Sequence, residues 1–170
     1  MIRNIISVIA LVGCVLLLSS LSFGQKKNRK IPRVCGNPEA ACKGRSNFQS
    51  YELPVEWPVN SVIAESEPFY AIILKSAKYD FTSATDCAKV YTDEEIQSIQ
   101  NQFPTNKVFA LKCADTGYNY YTGIATNVVF IAVYAGRTLA ESNKFLAKVK
   151  ALNEFPGIKL RRMKVGVNGT

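Results

Sequence analysis

Two apolar segments carry aromatic and basic side chains whose chemistry suits binding to sugars or acids. Residues 69–76 read Phe-Tyr-Ala-Ile-Ile-Leu-Lys-Ser, and 130–136 read Phe-Ile-Ala-Val-Tyr-Ala-Gly. Aromatic faces stack on planar or sugar rings, and lysine or arginine holds carboxylates and phosphates through charge-assisted hydrogen bonds. The sequence therefore predicts a ligand-binding surface that contains Phe69, Lys75, Phe130, Tyr134, Lys159 and Arg161.

A tyrosine-rich segment offers a second contact surface. Residues 115–123 read Asp-Thr-Gly-Tyr-Asn-Tyr-Tyr-Thr-Gly. Tyrosine supplies contact area at a small cost in conformational entropy, so such segments are common in recognition loops. We predict that Tyr118 and Tyr120 also contact the ligand, and packing within a hairpin is the alternative interpretation.

The chain has no histidine, and this absence excludes several kinds of active site. Ser-His and Cys-His nucleophile pairs, the common zinc sites and the usual general base all need that side chain. A catalytic pair would have to come from carboxylates, of which Asp80, Asp86, Asp93 and Asp115 are the candidates near one sheet edge. We expect a protein that is not an enzyme, with no cofactor and no metal.

An internal repeat defines the elements that must position these residues. The segment 101–112, Asn-Gln-Phe-Pro-Thr-Asn-Lys-Val-Phe-Ala-Leu-Lys, returns at 153–164 as Asn-Glu-Phe-Pro-Gly-Ile-Lys-Leu-Arg-Arg-Met-Lys. Each copy follows an apolar run and a Thr-x-x-Glu motif, which is typical of a helix start. Strands are predicted at 69–76, 107–113, 128–136 and 158–165, with helices that begin after Thr92 and Thr138.

This order of elements predicts an α+β fold of the ferredoxin-like βαββαβ type. Right-handed crossovers interleave the two halves into a four-stranded antiparallel sheet of order 4-1-3-2, with both helices on one face. Alternation along the strands predicts that Tyr70, Ile72 and Leu74 face the helices. Phe69, Ala71, Ile73 and Lys75 would then lie on the opposite face.

The N-terminal residues resemble an export signal. Arg3 is followed by an apolar run over 5–21 and by small residues before a predicted cleavage after Gly24. Removing 1–24 takes one positive charge from the net charge of +8 and leaves +7. The predicted location is therefore the periplasm, the cell envelope or the exterior. Acylation of Cys14 or a retained signal are the alternatives, and only these would place the chain on a membrane.

Four cysteines remain after cleavage, which favours two disulfides in an exported chain. Proximity favours Cys35–Cys42 and Cys87–Cys113 among the three possible pairings, and buried reduced thiols are the alternative. The second bond would close a loop of about 27 residues and would contribute roughly 3 kcal/mol to stability.

Residues 25–60 are predicted to form an N-terminal arm in front of a folded domain at 61–170. The arm begins with a basic tail at 25–33, which is solvated or contacts an anionic membrane or wall polymer. Pro54 and Pro58 oppose regular structure in the rest of it. Its aromatic residues could lie on the sheet face opposite the helices, and such a cover would remove the open surface. These residues are Phe48, Tyr51 and Trp57.

The second half of the repeat resembles a SPOR domain, the sporulation-related repeat. Val133, Ala135 and Gly136 fill its Val-x-Val-Gly strand motif, and the helix that follows carries Ala140, Phe145, Leu146 and Val149 at apolar positions. In the first half, Ile73 replaces the preferred glutamine and Lys75 replaces the preferred glycine. The resemblance covers about 100 residues.

The resemblance implies an exported envelope protein that binds peptidoglycan, or another anionic glycan, through its exposed sheet face. A protein-protein interaction module, or an accessory subunit of another exported protein, is the alternative function. Nucleic acid is not an expected partner, because neither copy contains the glycine-aromatic strand of RNA-recognition domains.

Overall fold

The computed structural model describes residues 36–37, 47–57, 63–78 and 90–168. All of them belong to one compact unit, Ile31–Thr170. Several predictions concern residues that lie outside the described ones. These are the signal at 1–24, the basic tail at 25–33, Asp80, Asp86, and the cysteines Cys14, Cys35, Cys42 and Cys87.

The described chain is α+β, which confirms the predicted class. It contains two α-helices and two antiparallel sheets of three and four strands. The strands are β1 (Ile63–Glu65), β2 (Phe69–Lys78), β3 (Val108–Leu111), β4 (Asn119–Tyr121), β5 (Val128–Gly136), β6 (Lys159–Met163) and β7 (Val165–Asn168), and the helices are α1 (Asp93–Gln102) and α2 (Leu139–Leu152). Within the described residues, neither helix combines the length and apolar character needed to cross a membrane.

Both helices begin where the Thr-x-x-Glu motifs predict. The hydroxyls of Thr92 and Thr138 accept hydrogen bonds from the backbone N–H three residues later. These bonds satisfy donors that the first turn leaves without an intrahelical partner. At the other end of α2, Asn153 adopts a left-handed conformation with a φ of 55° and terminates the helix.

The four-stranded sheet has the order β3-β5-β2-β6, and every neighbouring pair is antiparallel. One face packs against both helices in a cluster that we call the helix-side core. It joins sheet residues such as Ile72, Val133 and Ala135 to Ile96 of α1 and Val149 of α2. Apolar residues at helical spacing thus bury one stripe of each helix.

The three-stranded sheet, of order β1-β7-β4, was not predicted. The single strand predicted at 158–165 is divided in the structure, because the chain changes sheet at Lys164, between β6 and β7. Strands β1 and β4 have only three residues each, too few for a periodic pattern to identify. The prediction of a single sheet was therefore incomplete.

A bulge in β2 moves Lys75 from its predicted face. Ile73 pairs with Ala132, but Lys75 pairs with Ile131, so Leu74 is an extra residue on β2. Ile131 belongs to the helix-side core, and residues paired across antiparallel strands share one side of the sheet. Lys75 therefore lies on the side of the helices, and its predicted position beside Phe69 was wrong.

Cys113 is the one cysteine among the described residues, and it takes part in a disulfide bond. It lies in a 3-10 turn, Cys113–Asp115, directly after β3. Its partner falls outside the described residues, so pairing with Cys87 stays a prediction.

Candidate functional site

Three aromatic residues of the predicted binding surface are buried. Phe69, Phe130 and Tyr134 expose none of their surface to solvent. They belong to a second cluster, which we call the arm-side core, on the face of the large sheet opposite the helices. Because a ligand cannot stack on rings that are already covered, the prediction of an open aromatic face was wrong. The covered apolar area is no longer exposed to water, and its burial stabilises the fold.

The cover comes from the N-terminal arm and from the small sheet. Leu53 and Val55 of the arm are buried in the arm-side core beside residues of β4 and β7, and Trp57 packs partly buried against it. The other two aromatic arm residues do not contribute to the cover. Phe48 lies in the helix-side core, and Tyr51 is 52% exposed.

The two predicted contacts in the tyrosine-rich segment have different surroundings. Tyr118 is 64% exposed. Tyr120 lies in β4, and its hydroxyl donates to Glu65 Oε1 at 2.9 Å while Lys164 Nζ donates to Glu65 Oε2 at 3.1 Å. Gly166 makes room for this ring, since a Cβ at that position would lie 2.0 Å from Tyr120 Cζ. Tyr120 therefore joins the strands of the small sheet, whereas Tyr118 remains available to a partner.

The Tyr120–Glu65–Lys164 contact predicts a pH-dependent contribution to stability. The hydrogen bond from Lys164, and then that from Tyr120, lower the pKa of Glu65 from its ordinary value of 4.5. A lowered pKa in the folded state stabilises the protein above the ordinary value, and the contribution is lost as the pH falls through the folded value. We expect Glu65→Gln to be less stable than the wild type at pH 7, and the difference to shrink below about pH 4.5.

Urea unfolding at pH 7, 5, 4 and 3 measures this difference. Glu56→Gln is the matched control, because it removes the same charge from an exposed residue that makes no ion pair within the described chain. A stability difference for Glu65→Gln that stays constant from pH 7 to pH 3 would contradict the prediction.

Lys75 and Lys159 both line one cleft at the β6 edge of the large sheet. Lys75 lies on the side of the helices, whereas Lys159 pairs with Ile73 of the arm-side core. The cleft lies where the C-terminal half of β2 adjoins the start of β6, and its volume is about 390 Å³. Tyr91, Phe155, Pro156 and Gly157 supply further parts of the wall. This volume falls within the range of about 300–1,000 Å³ that is usual for small-ligand sites. Lysine and aromatic residues in the wall of one cleft can receive an acid that also has a ring or an apolar part.

Tyr91 has an unusual backbone conformation in the wall of this cleft. Its φ is +64°, which is uncommon for a bulky residue and costs energy that the surrounding structure must offset. Burial, and then the charge of Glu95, raise the pKa of its hydroxyl. The Tyr91 hydroxyl therefore stays protonated near neutral pH and can donate a hydrogen bond.

The two lysines of the cleft differ in their partners. Lys75 Nζ lies 2.6 Å from Glu95 Oε1 of α1. Lys159 is exposed and makes no ion pair within the described residues. For a ligand acid, Lys159 therefore has no competing carboxylate within the described residues, whereas Lys75 is already paired with Glu95.

Positive charge continues from the cleft along the edge strand. Residues 137–164, which include α2 and β6, contain eight basic and two acidic residues and so carry a net charge of +6. Arg161 and Arg162 are exposed in β6 and form no ion pair within the described chain. Charged residues on an edge strand also oppose pairing with other chains, so this strip is consistent with either an anion-binding surface or a protected edge.

Two of the carboxylates considered for catalysis line a second cleft, of about 200 Å³. Lys112 Nζ pairs with Asp93, and the Lys112 N–H donates to Asp115 Oδ2 at 3.4 Å. Both carboxylates thus have partners within the protein. In the part of the chain that the structure describes, no group of three or more histidine, cysteine, aspartate or glutamate residues is placed to hold a metal ion.

Comparisons with known proteins give no relative from which a function could be transferred: no protein-family model, no curated protein and no solved structure matches this chain.

Proposed function

We propose that this protein is an exported, non-enzymatic protein of the cell envelope that binds an anionic glycan, with peptidoglycan as the first candidate. The contact site in this proposal is the cleft of Lys75 and Lys159. The sheet face is not the site, because its aromatic residues are covered. The cleft carries the proposal, since its wall contains both lysines, Lys75 and Lys159, together with the aromatic residues Tyr91 and Phe155.

The chemistry of the glycan fits that of the cleft. Peptidoglycan consists of amino-sugar rings. Its free carboxylates lie on the stem peptides and on muramic acid residues whose stem peptide has been removed. An aromatic wall suits the sugar faces, and the lysines suit the carboxylates. The adjoining basic strip of β6 can attract a polyanion over a longer distance, with an effect that weakens as salt rises.

We further propose that the large sheet and its two helices form a divergent, ferredoxin-like SPOR domain. Its strand order and the burial of both helices on one face support this assignment. The small sheet and the arm would then be additions that cover the sheet face used for the ligand in that family. This arrangement accounts for a ligand site at the strand ends.

Sedimentation with purified peptidoglycan sacculi tests the site. We expect the double substitution Lys75→Ala with Lys159→Ala to weaken binding by about tenfold, which corresponds to about 1.4 kcal/mol for two partly exposed charged contacts. Lys144→Ala with Lys148→Ala is the matched control, because it removes the same charge from exposed positions on α2. Equal losses for the two double variants would mean that net charge, and not the cleft, determines binding.

A protein-interaction function is the second candidate, and one observation favours it. Gln49 donates to Asp115, and Ser50 donates to Asn119, so these bonds join the arm to the tyrosine-rich segment. The exposed Tyr51 and Tyr118 are each adjacent in the chain to a residue of this contact. If they form the functional surface, Tyr51→Ala with Tyr118→Ala should abolish co-purification of a partner from the envelope and leave sacculus binding unchanged.

A further inference from the structure

The two copies of the repeat differ at the residue that faces the first turn of the following helix. In the second copy, Thr138 Oγ1 accepts from Glu141 N at 3.3 Å, and Glu141 Oε2 accepts from Thr138 N at 3.2 Å. This is a complete capping box. Gly136, at the end of β5, lies so close that a Cβ there would be 3.1 Å from Glu141 Oε2.

In the first copy only one of the two hydrogen bonds of the capping box is present. Thr92 Oγ1 accepts from Glu95 N at 3.3 Å. The Glu95 carboxylate, which would accept the Thr92 N–H in a complete box, instead accepts from Lys75 Nζ at 2.6 Å. Lys75 occupies the position that Gly136 holds in the second copy, because the two apolar runs align Phe69 with Phe130.

The ion pair of Lys75 is accessible. The Lys75 side chain is 44% exposed and the Glu95 side chain is 35% exposed. Lys75 also lines the cleft. Partly exposed ion pairs contribute little to stability because water competes for both charges. The Thr92 N–H is a second donor that the Glu95 carboxylate can reach, as in a complete capping box.

We infer that the Glu95 carboxylate occupies, at the Lys75 ammonium, the place that a carboxylate of the ligand takes on binding. On binding, the ligand acid takes the Lys75 ammonium, and Glu95 moves to the Thr92 N–H and completes the capping box as Glu141 does. The exchange leaves neither carboxylate without a donor. The cleft therefore selects sugars that carry a carboxylate over neutral sugars. This inference rests on the proposed function, because it requires a glycan in the cleft.

The test compares N-acetylmuramic acid, which carries a carboxylate, with N-acetylglucosamine, which does not. Glu95→Gln removes the competing charge, and glutamine can still cap Thr92. We expect Glu95→Gln to bind N-acetylmuramic acid roughly three- to fivefold more tightly than the wild type, the range expected for loss of one exposed ion pair. Nuclear magnetic resonance titration measures both affinities. Glu141→Gln, at the equivalent position of the second copy, should leave them unchanged.

A second readout follows the hydrogen bond itself. In the wild type, hydrogen exchange at the Thr92 amide should slow when N-acetylmuramic acid binds, because that amide gains an acceptor. The Thr138 amide already has its acceptor and should show no change. This comparison separates the exchange of partners from a general stiffening of helix starts.

The outcomes separate the inference from the proposed function. If the wild type binds N-acetylmuramic acid but Glu95→Gln binds it no more tightly, the inference is wrong and the glycan site stands. Equal tightening for N-acetylglucosamine would also overturn the inference, since no carboxylate would be involved. If the acid binds neither protein, the inference is wrong as well. The proposed function fails separately, if the lysine double variant sediments with sacculi as the wild type does.

Discussion

Replacing Phe109 by alanine is expected to lower the free energy of unfolding by about 3–5 kcal/mol, the usual range for deleting a buried phenylalanine side chain. Phe109 is fully buried on β3. Its ring lies 6.0 Å from that of Phe69, 5.6 Å from Tyr121 and 5.9 Å from Phe130. It therefore connects an edge strand of the large sheet to both central strands and to the small sheet. The cavity left by alanine would weaken all of these contacts.

Urea unfolding followed by tryptophan fluorescence measures the loss. Trp57 is the only tryptophan, and it packs against the same core, so its emission reports directly on this layer. Tyr118→Ala removes an aromatic ring from an exposed position and should change stability by no more than about 0.5 kcal/mol. A loss below about 1 kcal/mol for Phe109→Ala would contradict the packing of the arm-side core.

The parts of the fold that follow from the sequence are those with local signals. Thr92 and Thr138 start the helices because their hydroxyls satisfy backbone donors of the first turn, and that chemistry needs no distant contact. Strand β5 has the predicted bounds, since a buried central strand is a continuous apolar run. The repeat then limits the order in which these elements can be arranged.

The parts that were missed depend on contacts between distant residues. Leu74 forms a bulge within an apolar run in which every residue suits a strand, so nothing in the sequence marks the change of face at Lys75. Strand β1 is identified only by its pairing with β7, about 100 residues away along the chain. The arm-side core also unites segments that have no common periodicity.

The candidate site was predicted in part. Lys75 and Lys159 were chosen as ligand contacts, and the structure brings them together in one cleft. Tyr91 was missed, because nothing in its neighbourhood distinguishes it from a helix-flanking residue. Phe155 belongs to the second Phe-Pro segment of the repeat and was not among the predicted ligand contacts. One difference between the two copies of the repeat lies at this site. The second Phe-Pro segment has Gly157 where the first has Thr105, and Gly157 lines the cleft.

Replacing Leu53 by alanine is expected to cost about 2–5 kcal/mol of stability, although Leu53 lies outside the predicted domain at 61–170. Its side chain is 3% exposed and belongs to the arm-side core. Tyr51→Ala is the matched control in the same arm, because the Tyr51 side chain is more than half exposed. Urea unfolding should show a large loss for Leu53→Ala and a small one for Tyr51→Ala. Equal small losses would mean that the arm is an appendage and not a part of the core.

The same variant distinguishes the two possible glycan surfaces. Leu53 covers the arm-side face of the large sheet, whereas Lys75 lies on the side of the helices. If the buried aromatic rings were the binding surface, loosening the arm would expose them and increase sedimentation with sacculi. If the cleft is the site, binding per folded molecule should not increase, because Lys75 and its partner Glu95 lie on the other side of the sheet from Leu53. An increase in binding by Leu53→Ala would therefore return the site to the sheet face and overturn the assignment to the cleft.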